Sequence, residues 1–146
     1  MPAIHRMITI NASVEKVFRF MTSPENWTCY VTGLTRVENF STEAVNQGTT
    51  YTWEYRMMGI TMKGTGTVTE FRENEVFAMK MTGAMPVSEH YTFSQAGEST
   101  ELIMKMNYEL PGRVLEKIAS SSFVEKINQK EARNILEKIK LFCEEL

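Results

Sequence analysis

Five aromatic residues with polar groups lie on the predicted inward faces of β-strands in the middle of the chain. They are Tyr51, Trp53, Tyr55, Tyr91 and Tyr108. Their hydroxyl and indole groups could orient a ligand within an otherwise apolar pocket. They are also compatible with ordinary core aromatics whose polar tips reach the edge of the core. The residue types alone leave both interpretations open.

Glu89 and His90 are the neighbouring residues that could transfer a proton. On a strand, His90 points away from Glu89 and Tyr91, so it faces solvent if Tyr91 faces inward. Glu89 would then face inward, where burial raises the pKa of a carboxyl group. We expect Glu89 to lie at the open rim of the strand. Glu54 and Arg56 are predicted to pair on the surface.

No catalytic, phosphate-binding or metal-binding motif accompanies these residues. Residues 64–66 approach a dinucleotide fingerprint, but Thr69 stands where the third glycine belongs. These glycines lie in a strand pattern, where glycine more often marks a bend or a close approach of the backbone. The two histidines, His5 and His90, form no cluster, and two cysteines do not make a zinc site. We therefore predict no metal and no cofactor.

Methionine is unusually frequent in the same region, since eight of the eleven methionines lie within residues 57–106. Several are two residues apart, which places both on one face of a strand. We define the methionine wall as Met62, Met79, Met81, Met104 and Met106, and assign Met58 and Met85 to turns or rims. Methionine fits irregular space. The wall is thus an unusual core or the side of an adaptable cavity, and we predict that it faces the C-terminal helix.

The residues before these strands predict one strand and two short helices. Residues 4–10 alternate as a strand, and Ser13 is suited to cap the helix that follows. Ser23 and Pro24 then begin a second short helix. This helix should end near Gly33.

The hydrophobic period changes to two between residues 34 and 110, with short turn-like breaks that predict antiparallel hairpins. One face is apolar and aromatic, and the other carries threonine and charge. Residues 113 to 142 contain no glycine or proline and predict a helix about 45 Å long. We therefore predict an α+β fold, in which a curved antiparallel sheet wraps around a long C-terminal helix.

The inward stripe of this helix has a polar interruption. It comprises Ser121, Ser122, Glu125, Asn128 and Gln129. A buried polar group without a partner costs about 1–3 kcal/mol. Either the helix kinks at residues 120–122 and turns Phe123, Val124 and Ile127 inward, or its middle faces a space filled by water or ligand. The kink is the outcome we expect.

Several segments resemble the START-like, or SRPBCC, superfamily. They are residues 8–18 (ITINASVEKVF), Trp27, the glycines Gly33 and Gly48, residues 66–70 and residues 108–112 before the long helix. The resemblance covers nearly the whole chain. It implies one domain over residues 1–146 with a helix-grip fold, a seven-stranded antiparallel sheet gripping the C-terminal helix around a deep cavity.

The resemblance also implies a hydrophobic ligand in that cavity, such as a lipid, sterol, polyketide or quinone. It supplies no catalytic motif, and two isolated histidines do not match the iron site of the dioxygenase relatives. We carry over only cavity positions, by strand alternation. The predicted ligand-binding residues are Trp53, Tyr55, Met62, Met79, Met81, Tyr91, Met104, Met106, Tyr108, Ser121 and Asn128.

Three functions remain open. The leading hypothesis is binding of a small apolar or amphipathic molecule between the sheet and the C-terminal helix. The second is a polyketide cyclase/dehydratase-like enzyme that uses a tyrosine or carboxylate of the same cavity for proton transfer. The third is a protein-interaction domain that needs no ligand.

The composition of the chain limits the kinds of partner that the protein can bind. The 146 residues carry a formal net charge of −2 and no basic stripe, which argues against nucleic acid. No stretch approaches the length of a membrane span. The N-terminus lacks the apolar segment of a signal peptide. The two cysteines are most simply reduced thiols, and we expect a cytoplasmic protein. A homodimer is left open.

Overall fold

The computed structural model describes residues 3–109, 112 and 121–146, and within the last helix it describes side chains from Glu125 onward. Seven strands form an antiparallel sheet in the order β1-β7-β6-β5-β4-β3-β2. The strands are β1 (Ala3–Ile10), β2 (Leu34–Glu38), β3 (Thr50–Met57), β4 (Ile60–Arg72), β5 (Val76–Gly83), β6 (Val87–Ala96) and β7 (Ser99–Tyr108). The predicted seven-stranded helix-grip fold is confirmed.

Two short helices follow β1, as predicted. Helix α1 (Val14–Thr22) begins at Ser13, whose Oγ accepts a hydrogen bond from the backbone N–H of Lys16 at 3.3 Å. A 3₁₀ turn (Pro24–Asn26) leads into α2 (Trp27–Tyr30), which ends three residues before the predicted Gly33. The apolar side of α1 is buried against the sheet, and its residues Val17 and Met21 are inaccessible to solvent.

The C-terminal helix, α3 (Ser121–Glu145), packs along the sheet and against the short helices. Ala132, Ile135 and Ile139 form its buried stripe. The predicted start of this helix near residue 113 lies outside the described residues, as does Ser120, the first residue of the proposed kink at residues 120–122. The described part of α3 is helical throughout. No described helix combines the length and the hydropathy that crossing a membrane requires.

The polar interruption of α3 divides between the core and the surface. Asn128 is buried, whereas Glu125 and Gln129 are exposed. Gln129 instead accepts a hydrogen bond at its Oε1 from the guanidinium of Arg6 on β1, at 2.9 Å. Ile127 is half-buried. The side chains of residues 121–124 lie outside the description, so the choice between the two explanations stays open for them.

Three glycines make room for the aromatic side chains of β3. A Cβ atom on Gly66 would lie 2.3 Å from Cζ of Tyr51, and one on Gly64 would lie 2.5 Å from the ring of Trp53. A Cβ on Gly33 would lie 2.4 Å from Cζ of Tyr55. Each ring therefore occupies the space that a side chain would fill. This is the close approach that glycines within a strand indicate.

The predicted surface pair of Glu54 and Arg56 is wrong. Glu54 lies directly opposite Lys63 on β4, and their charged atoms are 3.7 Å apart. The guanidinium of Arg56 contacts the hydroxyl of Thr61, its own cross-strand partner, at 3.5 Å. The Cβ atoms of directly opposed residues on neighbouring strands are closer than those of residues two apart on one strand. Glu54 and Arg56 therefore contact their cross-strand partners and not each other.

Candidate ligand-binding cavity

A cavity of about 70 Å³ lies between the inward face of the sheet and the helices α2 and α3. Its walls are mainly apolar. Six aromatic residues line it: Trp27, Tyr30, Tyr51, Trp53, Tyr55 and Tyr108. Four methionines also line it: Met79, Met81, Met85 and Met106. Strands β3, β5, β6 and β7 supply most of the sheet side, and α3 contributes Glu131 and Ile135.

The predicted ligand-binding residues fall into three groups. Six line the cavity: Trp53, Tyr55, Met79, Met81, Met106 and Tyr108. Four are buried outside its lining: Met62, Tyr91, Met104 and Asn128. The side chain of Ser121 lies outside the described residues. Contact between a ligand and any of these residues stays a prediction.

The methionines are divided in the same way. Met62 and Met104 of the methionine wall pack in the core, while the other three members face the cavity. Met58 is exposed in the turn between β3 and β4, as expected. Met85 lies in the connection between β5 and β6, which agrees with its assignment to a turn or rim, but it is only 5% exposed and lines the cavity. It is the second residue after the end of β5.

Glu89 is buried in the cavity wall, and the prediction that it lies at an open rim is wrong. It stands on β6 directly between Met79 of β5 and Met106 of β7, so both neighbouring strands flank it. Its Oε1 accepts a hydrogen bond from the hydroxyl of Tyr91 at 3.4 Å. Burial raises the pKa of Glu89 to about 7, and the charge of Glu131 adds to the rise while the Tyr91 bond opposes it.

His90 lies on the opposite face of β6, as the alternation of the strand predicts. Its Nε2 is 3.8 Å from a carboxylate oxygen of Glu70 on that outer surface. It is absent from the cavity lining. The described residues also contain no group of three or more His, Cys, Asp or Glu side chains arranged to hold a metal ion.

Glu131 of α3 is the second carboxylate of the cavity, and sequence reasoning missed it. Its Oε1 accepts a hydrogen bond from the hydroxyl of Tyr55 at 3.1 Å. Burial raises the pKa of Glu131, while the Tyr55 bond and the charge of Lys138 lower it. The signal was available, because Glu131 precedes the buried Ile135 by one helical turn and must share its face.

Most of the other polar tips in the wall are already occupied. The indole N–H of Trp27 and the hydroxyl of Tyr30 both donate to the carbonyl oxygen of Met21, at 2.8 and 3.0 Å. Trp53 donates to the carbonyl of Thr65 at 3.0 Å, and the hydroxyl of Tyr51 contacts the sulfur of Met79 at 3.6 Å. The polar groups of these four aromatics are therefore already engaged within the protein.

Tyr108 is the exception. Its hydroxyl oxygen is buried and has no hydrogen-bond partner among the residues that the structure describes. Burial, with a contribution from the nearby charge of Glu131, raises the pKa of Tyr108, so the hydroxyl stays protonated. A buried hydroxyl without a partner costs about 1–3 kcal/mol. Tyr108, Glu89 and the Tyr55–Glu131 pair are thus the polar groups that the cavity presents to a ligand.

Comparison with known proteins agrees with this architecture. The model of the polyketide cyclase/dehydrase and lipid transport family matches residues 1–143, and the chain belongs to this family. Members of the family bind hydrophobic ligands or act as polyketide cyclases. A search of the curated proteins finds no relative of the chain.

Solved structures share the fold at low sequence identity. A conserved protein from Geobacillus kaustophilus is 14% identical with a TM-score of 0.79, over 97% of this chain and 95% of that one. A protein from Thermus thermophilus is 19% identical with a TM-score of 0.76, over 97% of both chains. The Zhui aromatase/cyclase from a Streptomyces species is 11% identical with a TM-score of 0.75, over 98% and 93%.

Proposed function

We propose that this protein binds a small apolar or amphipathic molecule in the cavity between the sheet and α3. The cavity itself carries the proposal, because its apolar walls surround a few convergent polar groups, the usual composition of a small-molecule site. The Tyr108 hydroxyl, which has no partner within the described part of the chain, supports it, since a ligand that bonds to this group removes the cost of burying it.

The cavity must widen to take such a ligand. Its volume of about 70 Å³ holds a few water molecules and is far below the roughly 300–1,000 Å³ of sites for drug-sized molecules. Four of the residues that line it are methionines, whose unbranched side chains change rotamer easily. We infer that rotation of these methionines admits the ligand, and that burial of its apolar surface contributes about 25 cal/mol per Å².

Two neutral probes of different shape, 2-naphthol and 1-decanol, test the proposal by calorimetric titration. Val87 of β6 lines the cavity, and Ser88, the next residue, lies on the other face of the sheet. Val87→Trp should fill the cavity and lower the affinity roughly tenfold or more, whereas Ser88→Trp should leave it unchanged. Equal binding by both variants would overturn the proposal.

Native mass spectrometry offers an independent test. The protein is purified from the cells that make it and sprayed under conditions that preserve noncovalent complexes. We expect a fraction to carry a bound small molecule, and Val87→Trp to lose it. A co-purified molecule that survives in Val87→Trp would lie outside this cavity and would contradict the proposal.

A second candidate function is proton transfer within the same cavity. One observation favours it: Glu89 is enclosed by apolar side chains and has a pKa of about 7, near the value at which a general acid or base works best at neutral pH. A synthetic poly-β-keto thioester is the test substrate. If the protein is an enzyme, Glu89→Gln should lower its turnover roughly hundredfold while 2-naphthol still binds. Absence of turnover by the unmodified protein leaves ligand binding as the function.

A further inference from the structure

The charged side chains in the described lining of the cavity are both acidic. Glu89 on β6 and Glu131 on α3 both line it, and its described lining includes no lysine, arginine or histidine. Each carboxylate is held toward the cavity by a single tyrosine hydroxyl, from Tyr91 and Tyr55 respectively. The two acids come from opposite walls, one on the sheet and one on the helix.

The wall around these acids is aromatic. Six of the residues that line the cavity are tryptophan or tyrosine. The face of an aromatic ring carries negative charge and attracts a cation, tryptophan most strongly. As described above, the polar tips of Trp27, Tyr30, Tyr51 and Trp53 are already bonded within the protein. Their rings, with two carboxylates, form an environment complementary to a positively charged group.

We propose that the ligand of this cavity carries a basic nitrogen, which Glu89 and Glu131 hold as an ammonium group while its apolar part packs against the methionines. This inference rests on the proposed function and specifies its ligand. Tyr108 completes the site, because its hydroxyl has no partner among the described residues and can accept a hydrogen bond from an N–H group.

The alternatives are less favourable on electrostatic grounds. A fatty-acid carboxylate would bring a third negative group into a space that already contains two, and like charges disfavour ionisation of each other. A neutral alcohol or ketone would leave both acids without a counter-charge. An ammonium group offsets the cost of burying ionised carboxylates, because buried charges are tolerated when they are paired.

No lysine, arginine or histidine among the described lining residues takes this role for Glu89. Among the described residues, the titratable groups that interact electrostatically with Glu89 are Tyr30, Tyr51, Tyr55, Tyr91 and the carboxylate of Glu131. Lys138, the cation that lowers the pKa of Glu131, lies further along α3. Its ammonium group donates a hydrogen bond to the hydroxyl of Thr32 at 2.9 Å. The negative charge inside the cavity is therefore left for a ligand to compensate.

The protonation of Glu89 gives this binding a defined pH dependence. At a pH below about 7 the carboxyl group is largely protonated, and an ammonium ligand must displace that proton. The affinity for an amine should therefore rise as the pH increases from about 6 to 8. The amine itself stays charged over this interval, since an alkylamine has a pKa of about 10.

Three probes of one shape distinguish the possibilities by calorimetry at about pH 8: 2-phenylethylamine, 2-phenylethanol and 3-phenylpropionate. We expect the amine to bind roughly tenfold tighter than the alcohol, and the carboxylate to bind weakest. Between about pH 8 and about pH 6 the amine should lose roughly fivefold in affinity, and the alcohol should lose none.

Isosteric variants attribute the effect to the two acids. Glu89→Gln and Glu131→Gln should each weaken amine binding roughly tenfold and leave the alcohol unchanged. Glu70→Gln, on the outer face beside His90, is the matched control and should change neither. Circular dichroism verifies that each variant is folded, and the three-probe comparison stands on the unmodified protein alone.

The outcomes separate this inference from the function on which it rests. If the alcohol or the carboxylate binds as tightly as the amine, the cavity binds ligands but does not select a basic nitrogen, and the inference is overturned. If none of these probes binds, nor 2-naphthol and 1-decanol, the proposed function itself fails.

Discussion

The hydroxyl of Tyr55 donates a hydrogen bond to Oε1 of Glu131 at 3.1 Å, and this bond joins β3 of the sheet directly to α3. The two residues are 76 positions apart in the sequence. The bond fixes the Glu131 carboxylate at the cavity wall and closes one side of the space between sheet and helix. A hydrogen bond to a charged group contributes about 1.5–3 kcal/mol, so its loss should be measurable.

Tyr55→Phe tests this contact. The substitution removes the donor, and we expect the free energy of unfolding to fall by about 1.5–3 kcal/mol in urea denaturation. The pKa of Glu131 should rise further, because the Tyr55 bond lowers it. Tyr108→Phe is the matched control, since it removes a hydroxyl that has no partner in the described residues, and should be neutral or stabilising. Equal destabilisation by both variants would contradict the assignment.

Glu89 should make stability depend on pH. Its folded-state pKa is about 7, above the value of roughly 4.3 for an unfolded glutamate, so the folded protein binds the proton more tightly. The free energy of unfolding should therefore decrease as the pH rises from about 4.5 to 7, by about 3 kcal/mol in all, and level off above that.

Denaturant titrations of the unmodified protein and of Glu89→Gln, at about pH 5 and about pH 8, measure this effect. The variant cannot ionise, so the Glu89 part of the pH dependence should vanish and the variant should be the more stable protein at about pH 8. Glu70→Gln should retain the dependence of the unmodified protein. A decrease of equal size in Glu89→Gln would assign the effect to other groups.

Gly66→Ala should disturb the packing of Tyr51. The new Cβ would lie 2.3 Å from Cζ of the ring, closer than any real contact, so the ring must shift. Overpacking of this kind costs about 1–3 kcal/mol. In a Tyr51→Leu background the same change should cost less, and the double-mutant cycle measures that coupling. Gly112→Ala places its new Cβ more than 4 Å from every atom of the described residues and serves as control.

The cavity methionines should govern which ligand sizes are accepted. Replacing Met79, Met81 and Met106 together with leucine roughly conserves volume, so each substitution should cost less than about 1.5 kcal/mol of stability. Affinity for the larger 2-naphthol should fall more than affinity for 2-phenylethanol, because branched leucine adapts less. The control changes Met62 and Met104, which lie outside the lining, and should leave the ratio of the two affinities unchanged.

The fold was predictable because its signals are local and periodic. Alternation of apolar residues identified the strands, and the cap at Ser13 identified α1. The cavity was less predictable, because it depends on how the strands and helices pack together. Strand alternation put Met62 and Met79 on the inward side of the sheet, but it carries no information about which of them a helix covers.

The two carboxylates illustrate the same limit. Alternation turned Glu89 inward, but its depth follows from β5 and β7 flanking it, a neighbour relation that sequence order alone does not state. Glu131 lies one turn from Ile135, but the predicted polar interruption of the helix ends at Gln129 and does not include it. A charged residue on a buried helix face is the signal that should have identified it.

The three glycines behind the β3 aromatics have a consequence for ligand size. Because these glycines have no side chain, the rings of Tyr55, Trp53 and Tyr51 occupy the space that a Cβ atom on Gly33, Gly64 and Gly66, respectively, would fill. The depth of the cavity is therefore set from the rear, by residues that are absent from its lining. A single methyl group added at Gly33 or Gly66 would push a ring forward and narrow the site, so the ligand range of this protein can change without substitution of any residue that the ligand touches.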